Sequence, residues 1–155
     1  MLYLRETKEF LTKIGARQSQ AFCSGTLIFT NSGATLGVPK ILDIDCCAND
    51  GIVALKKLSI EINREFLYYF LSTTTERLRE EMKQGGGQPN LNTGIVKSIA
   101  VPLPPIQEQE KIVDCINFFL VQQQALLRQA SKSIQQLQKL KATLIAEVVS
   151  GKIKV

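Results

Sequence analysis

The sequence contains no histidine among its 155 residues. That absence removes the Ser-His-Asp triad, the Cys-His pair and the HExxH metal site in one step. It also removes the Cys/His zinc sets, and the four cysteines do not replace them. Cys23, Cys46, Cys47 and Cys115 form no CxxC pair, and adjacent Cys46 and Cys47 are awkward to bridge. They read as buried or half-buried thiols of a reducing compartment. No GxGxxG or GxxxxGK[ST] phosphate loop is present, and no arrangement of carboxylates stands out. No apolar run approaches the roughly 20 residues that span a bilayer, and no signal peptide is legible, so a cytoplasmic, non-membrane protein is expected.

Charge permits a nucleic-acid partner without demanding one. The formal net charge is +5, with 12 Lys/Arg against 10 Asp/Glu in residues 1–105 and 7 against 4 in residues 106–155. Hydrophobic residues make up 45% of the chain, enough for a packed core.

The pattern along the chain predicts an α+β fold. The first 22 residues carry little signal; Thr7 to Ile14 reads as a helical turn or two or as irregular chain. Thr26 to Thr30 is a β-rich apolar run that ends in the small-residue loop Asn31-Ser32-Gly33-Ala34-Thr35-Leu36-Gly37. Val38 to Ile44 and Gly51 to Leu55 read as further strands around a turn-rich Cys46 to Asp50. Asn63 is placed to cap a helix running to about Gln84, with Phe66, Leu67, Phe70, Leu71, Leu78 and Met82 on one face. A polar gap, Thr73-Thr74-Thr75, interrupts that stripe, and Gly85-Gly86-Gly87 stops the helix. Tyr68 and Tyr69 read as packing residues, and Arg77 and Arg79 as a solvated face. Lys97 to Leu103 reads as a short strand closed by Pro104-Pro105.

The last element is the clearest. A helix from Ile106 to Ser150 spans about 68 Å. Glu108 and Glu110 suit its first turns and Gly151 its stop. Ile106, Val113, Leu120, Leu127, Ile134, Lys141 and Val148 recur every seven residues. A second line carries Gln109, Ile116, Gln123, Ala130, Leu137 and Leu144. This is a coiled-coil seam, and polar residues within it select register and partner orientation. Val113, Ile116, Leu120, Leu127, Ile134, Leu137, Leu144 and Val148 are the expected pairing residues. Ile112, Phe119, Leu126 and Leu140 widen the face beyond a simple two-stranded zipper, so the globular part, a further helix or another subunit must cover the rest.

Three stretches in order resemble the specificity subunit of type I restriction–modification systems. They are Gly85-Gly86-Gly87-Gln88-Pro89-Asn90-Leu91-Asn92, then Ile99-Ala100-Val101-Pro102-Leu103-Pro104-Pro105-Ile106-Gln107-Glu108-Gln109-Glu110, then the long helix ending Ser150-Gly151-Lys152-Ile153. In that family a target-recognition domain runs through a Gly/Gln/Asn loop and a Pro-Leu-Pro-Pro-x-x-Glu-Gln segment into a spacer helix. Thr26 to Gly37 is similar to its recurring strand-and-glycine segment. The resemblance implies a recognition domain over residues 1–104, shortened at its N-terminus, and a spacer and dimerisation helix over 105–155. It implies a non-catalytic chain that binds double-stranded DNA and holds no cofactor. A methyltransferase subunit would carry S-adenosylmethionine, with a restriction subunit as a further partner. The helix would pair with a second copy or another half-subunit. Under this reading Lys83, Gln84, Gln88, Asn90 and Asn92 around one glycine loop are DNA-contact candidates. So are Asn31, Ser32, Thr35 and Lys40 near the other, with Arg17 as a phosphate candidate. Asn and Gln pair with adenine, and Lys or Arg with guanine or phosphate. The alternative is a truncated remnant that serves only as a helical assembly module.

Overall fold

The computed structural model describes residues 2–32, 35–84, 91 and 93–153; the side chains of residues 81–84 are not among what it describes. The chain divides into two compact units, Met1–Val113 and Asp114–Val155.

In the first unit a four-stranded sheet runs in the order β1-β4-β3-β6. β1 is Tyr3–Leu4, β3 Leu27–Thr30, β4 Pro39–Leu42 and β6 Ile52–Leu55. β1 lies parallel to β4, and β3 is antiparallel to both β4 and β6. Alternation along these strands serves two layers at once. Leu27, Phe29 and Ile41 face the helix α2 (Arg64–Gln84) and meet Leu67, Leu71 and Leu78. On the opposite face Ile28 and Leu42 close over Phe22. Phe22 belongs to a second, two-stranded sheet of β2 (Gln20–Phe22) and β5 (Cys46–Ala48). A short helix α1 (Lys13–Gln18) precedes β2, capped by the Thr12 hydroxyl, which accepts from the Gly15 N–H at 3.2 Å.

Several expectations hold. Asn63 caps α2: its Oδ1 accepts from the Glu65 and Phe66 N–H groups at 2.9 and 3.0 Å. The long helix α4 runs Ile106–Val149. It closes on Gly151, whose φ of 72° is left-handed. There the Lys152 N–H reaches the Glu147 carbonyl at 2.9 Å and the Gly151 N–H reaches Val148 at 3.1 Å, a Schellman closure. Tyr68 and Tyr69 are in edge-on contact within α2, with Tyr68 packed on the core.

Others are corrected. Cys46–Ala48 is a strand rather than a turn, because its partner Gln20–Phe22 is remote in sequence and buries Phe22. The strand expected over Lys97–Leu103 is absent. Thr93–Ser98 forms helix α3, which buries Val96, and the chain after it packs extended, without a ladder, through Ile99 and Val101. Pro102 and Pro104 have no N–H to give to a ladder. The cysteines are free thiols, with Cys23 and Cys115 exposed rather than buried. Among the described residues no helix is long and apolar enough to cross a membrane, and no group of three or more His, Cys, Asp or Glu is placed to hold a metal.

The largest departure concerns Gln109, expected as a polar seam residue. It is 0% exposed inside the first unit. Its Oε1 accepts from the Asn63 N–H at 2.8 Å, and its Nε2 donates to the carbonyls of Glu61 and Pro104, both at 2.8 Å. One side-chain amide thus satisfies the turn before α2 and the proline junction before α4. Val113, one turn on, is also buried. The first two turns of α4 are thus packed within the first unit, which runs to Val113.

Two outcomes follow. Gln109→Ala leaves a buried N–H and two carbonyls unpaired, and lowers unfolding stability by about 2–4 kcal/mol in a denaturant titration. Gln109→Glu, which keeps the shape but loses the donor, is destabilised as well; a wild-type midpoint in both variants would refute this role. The Tyr3 phenol donates to the Glu65 carboxylate, joining β1 to α2. That hydrogen bond, with burial second, pushes its pKa from 10.0 up to about 12. A raised folded-state pKa favours the neutral phenol, so its contribution is complete below pH 10 and is lost toward pH 12. Ultraviolet titration of Tyr3→Phe should lack the latest-ionising tyrosine.

Candidate nucleic-acid interface

Asn31, in the first glycine-rich stretch singled out by sequence, meets Leu91, which lies sixty residues further along the chain. The Leu91 N–H donates to the Asn31 carbonyl at 2.7 Å, and Leu91 is 0% exposed in the α2-facing core. Leu91 anchors one end of the segment that carries Gln88, Asn90 and Asn92. Those three residues lie outside the described residues, as do the side chains of Lys83 and Gln84.

Asn31 is the hub of this corner. Its N–H donates to the Gly51 carbonyl at 3.0 Å and its Nδ2 to the Asp50 carbonyl at 3.0 Å. It thereby ties the β3–β4 loop to the β5–β6 turn and to Leu91. Its Oδ1 is buried and has no hydrogen-bond partner among the described residues. Ser32 beside it is half-buried, while Thr35 is exposed. The β3–β4 loop, the β5–β6 turn and Leu91 therefore meet at one asparagine.

The β3–β4 loop is also held from below by α2. The Thr75 hydroxyl donates to the Gly37 carbonyl at 2.6 Å, and Arg79 Nε donates to the Leu36 carbonyl at 2.9 Å. Gly37 has φ 79°, and a Cβ there would stand 3.5 Å from the Thr75 backbone. Both facts favour glycine at the position. Across the loop, the Val38 N–H donates to Thr30 Oγ1 at 2.9 Å, and the Thr30 hydroxyl donates to the Thr35 carbonyl. The described ends of this loop are thus held by hydrogen bonds, with Thr35 exposed.

Sequence reasoning missed Thr75 and Arg79 as parts of this support. The signal for Thr75 was present: a polar break in an otherwise apolar helix stripe marks a place where the helix meets polar backbone. Arg79 read as solvated, and only the fold shows its contact with Leu36. The remaining candidates stand apart from the hub. Lys40 is half-buried inside β4 opposite Ile28, on the sheet face away from α2. Arg17 is exposed in the last turn of α1, which packs on β2.

Comparison with known proteins agrees with the resemblance. Residues 8–136 match the family model described as the type I restriction modification DNA specificity domain. A curated relative, the putative type I restriction enzyme MjaX specificity subunit of Methanocaldococcus jannaschii, is 25% identical over 122 residues. That match covers 79% of this chain, which spans 28% of the relative's length. A solved chain from a study of complex assembly and conformational transition of the type I R-M system superposes with a TM-score of 0.71 at 22% identity. It covers 83% of this chain and 31% of that one, and speaks for the fold. Matched across most of its length by that family model, the chain belongs to the type I restriction modification DNA specificity domain family.

Proposed function

We propose that this chain recognises a specific duplex DNA sequence through the corner built on Asn31 and directs a methyltransferase and restriction complex to it. The family is one of DNA recognition and not of catalysis. The observation that supports this reading is the Asn31–Leu91 hydrogen bond, which links one residue from each of the two Asn/Gln-bearing stretches. In this reading Thr35, Ser32, Gln88, Asn90 and Asn92 face base edges, with Lys83, Gln84, Lys40 and Arg17 toward phosphates. Asn31 acts chiefly by shaping the corner, since its amide nitrogen is engaged by Asp50. S-adenosylmethionine belongs to the methyltransferase partner. The helix beyond Val113 pairs antiparallel with a second copy or with another half-subunit, and so spaces two recognition units. The work is intracellular, in the cytoplasm where DNA and the other subunits reside.

The remnant alternative, a chain that keeps only the assembly helix, requires a recognition unit without structure. The described residues of the first unit instead include a four-stranded sheet with a core cluster on each face, which favours recognition.

The test is selection of bound duplexes from a random pool, followed by titration of the selected site at several salt concentrations. Affinity should fall steeply with salt, since phosphate contacts release counterions. Gln88→Ala or Asn90→Ala should relax the preferred sequence by about 1–3 kcal/mol at single positions. Arg17→Ala should weaken all sequences alike. Salt-insensitive binding, or none with the partner subunits present, would return the chain to the assembly-module reading.

A further inference from the structure

The turn between β5 and β6 carries a side chain that the sequence pattern did not single out. Asn49 is exposed, and its Oδ1 accepts from the Gly51 N–H at 3.1 Å. That bond fixes the amide of Asn49 in one orientation. The turn itself is held by Asn31, which donates from its Nδ2 to the Asp50 carbonyl and from its N–H to the Gly51 carbonyl. Gly51 lets the two loops close on each other. A Cβ there would stand 3.0 Å from Asn49 Oδ1 and 3.1 Å from Ser32 Oγ. Without one, the amide of Asn49 and the hydroxyl of Ser32 share the space over the Gly51 α-carbon.

What this pair can bind follows from its unused groups. An amide oxygen has two lone pairs, and the Gly51 N–H takes one. Among the described residues the Asn49 Nδ2 donates to nothing, and the Ser32 hydroxyl makes no hydrogen bond. Asn49 therefore keeps an acceptor and two donors side by side. Adenine matches that set in the major groove, where its N7 accepts and its N6 amino group donates. A phosphate does not match it. It offers no donor, and the exposed Asp50 carboxylate next along the chain repels it.

We propose that Asn49 is a specificity-determining residue that pairs bidentately with an adenine of the target duplex while the Gly51 N–H holds its amide in place. This rests on DNA recognition by the Asn31 corner and names a residue that reads a base there. An amide oriented before binding loses less rotamer freedom on docking than a free asparagine does. A role in the turn alone makes a different demand. Aspartate accepts from the Gly51 N–H as asparagine does, so Asn49→Asp keeps the turn. It loses both donors, sets a negative charge against adenine N7, and accepts from the cytosine amino group instead.

Two measurements on the full chain test this, with unfolding midpoints showing that the variants fold. First, duplexes are selected from a random pool by the wild type and by Asn49→Asp. The expected result is a change at one position, with cytosine favoured in place of adenine and the rest of the site kept. Selection of the wild-type sequence by the variant overturns the proposal. Second, each adenine of the wild-type site is replaced in turn by 7-deazaadenine, which lacks the N7 acceptor. At one adenine the wild-type affinity should fall by on the order of tenfold. Asn49→Ala, already weakened by a similar factor, should lose nothing more there. Equal losses in both proteins at every adenine overturn the assignment. A site in which no adenine responds overturns it too, and that result needs no variant. A wild-type chain that selects no sequence removes recognition by the corner and this assignment together, whereas a selected site insensitive to Asn49 removes the assignment alone.

Discussion

The Gln109 side chain is the interaction on which the first unit's architecture turns. A primary amide has two donors and an acceptor in one plane, and here the acceptor and both observed donations serve backbone groups from three places in the chain. Asn63 begins α2, Glu61 precedes it, and Pro104 ends the extended segment before α4. Carboxylate, hydroxyl and apolar side chains all lack some part of that set. The two helices are thus referenced to one another at their N-terminal ends before any apolar contact is counted. A buried polar group satisfied at every position specifies an arrangement in a way that oily packing does not. The glutamate–glutamine junction that carried the family resemblance therefore has a structural meaning in this chain.

The recognition corner depends on α2 in turn. Positioned at its start by Asn63, α2 presents Thr75 and Arg79, about three and four turns later, to the carbonyls of Gly37 and Leu36. The β3–β4 loop is then bound to the β5–β6 turn and to Leu91 through Asn31. A chain of hydrogen bonds to backbone groups leads from the helix junction to the loop tips. A loop can leave its side chains available only when its own backbone needs are met elsewhere. Here the supporting side chains meet them, which leaves tip residues such as Thr35 exposed.

What was legible in the sequence follows from range. The α2 cap, the long helix and its glycine closure were readable because each is set by residues within a turn or two of one another. β3, β4 and β6 were readable as apolar β-rich runs, each trimmed by a residue or more. The Cys46–Ala48 strand was not, because its partner lies more than twenty residues away and its own sequence suits a turn. The Lys97–Leu103 stretch read as a strand, although Pro102 within it and Pro104 after it have no N–H to give to a ladder. Gln109 fitted a heptad line equally well as a seam residue or a core residue, and only its three backbone partners decide. Of the site residues, the sequence could nominate both glycine-rich stretches but not the hydrogen bond from Leu91 to Asn31.

One heptad frame thus serves two different partners along α4. Ile106, Gln109 and Val113 fall on the same lines as Leu120, Gln123 and Leu127, yet Gln109 and Val113 are buried by their own chain and the later residues are exposed. The change occurs where the first unit ends, at Val113. A wholly apolar seam beyond that point would be stickier and less definite, since several registers would bury nearly the same surface. Gln123 and Lys141 reduce that degeneracy, because most alignments of the exposed seam would set one of them against a hydrocarbon. A shift of one heptad displaces one helix along another by about 10 Å. Polar seam residues thus provide register at some cost in strength of association.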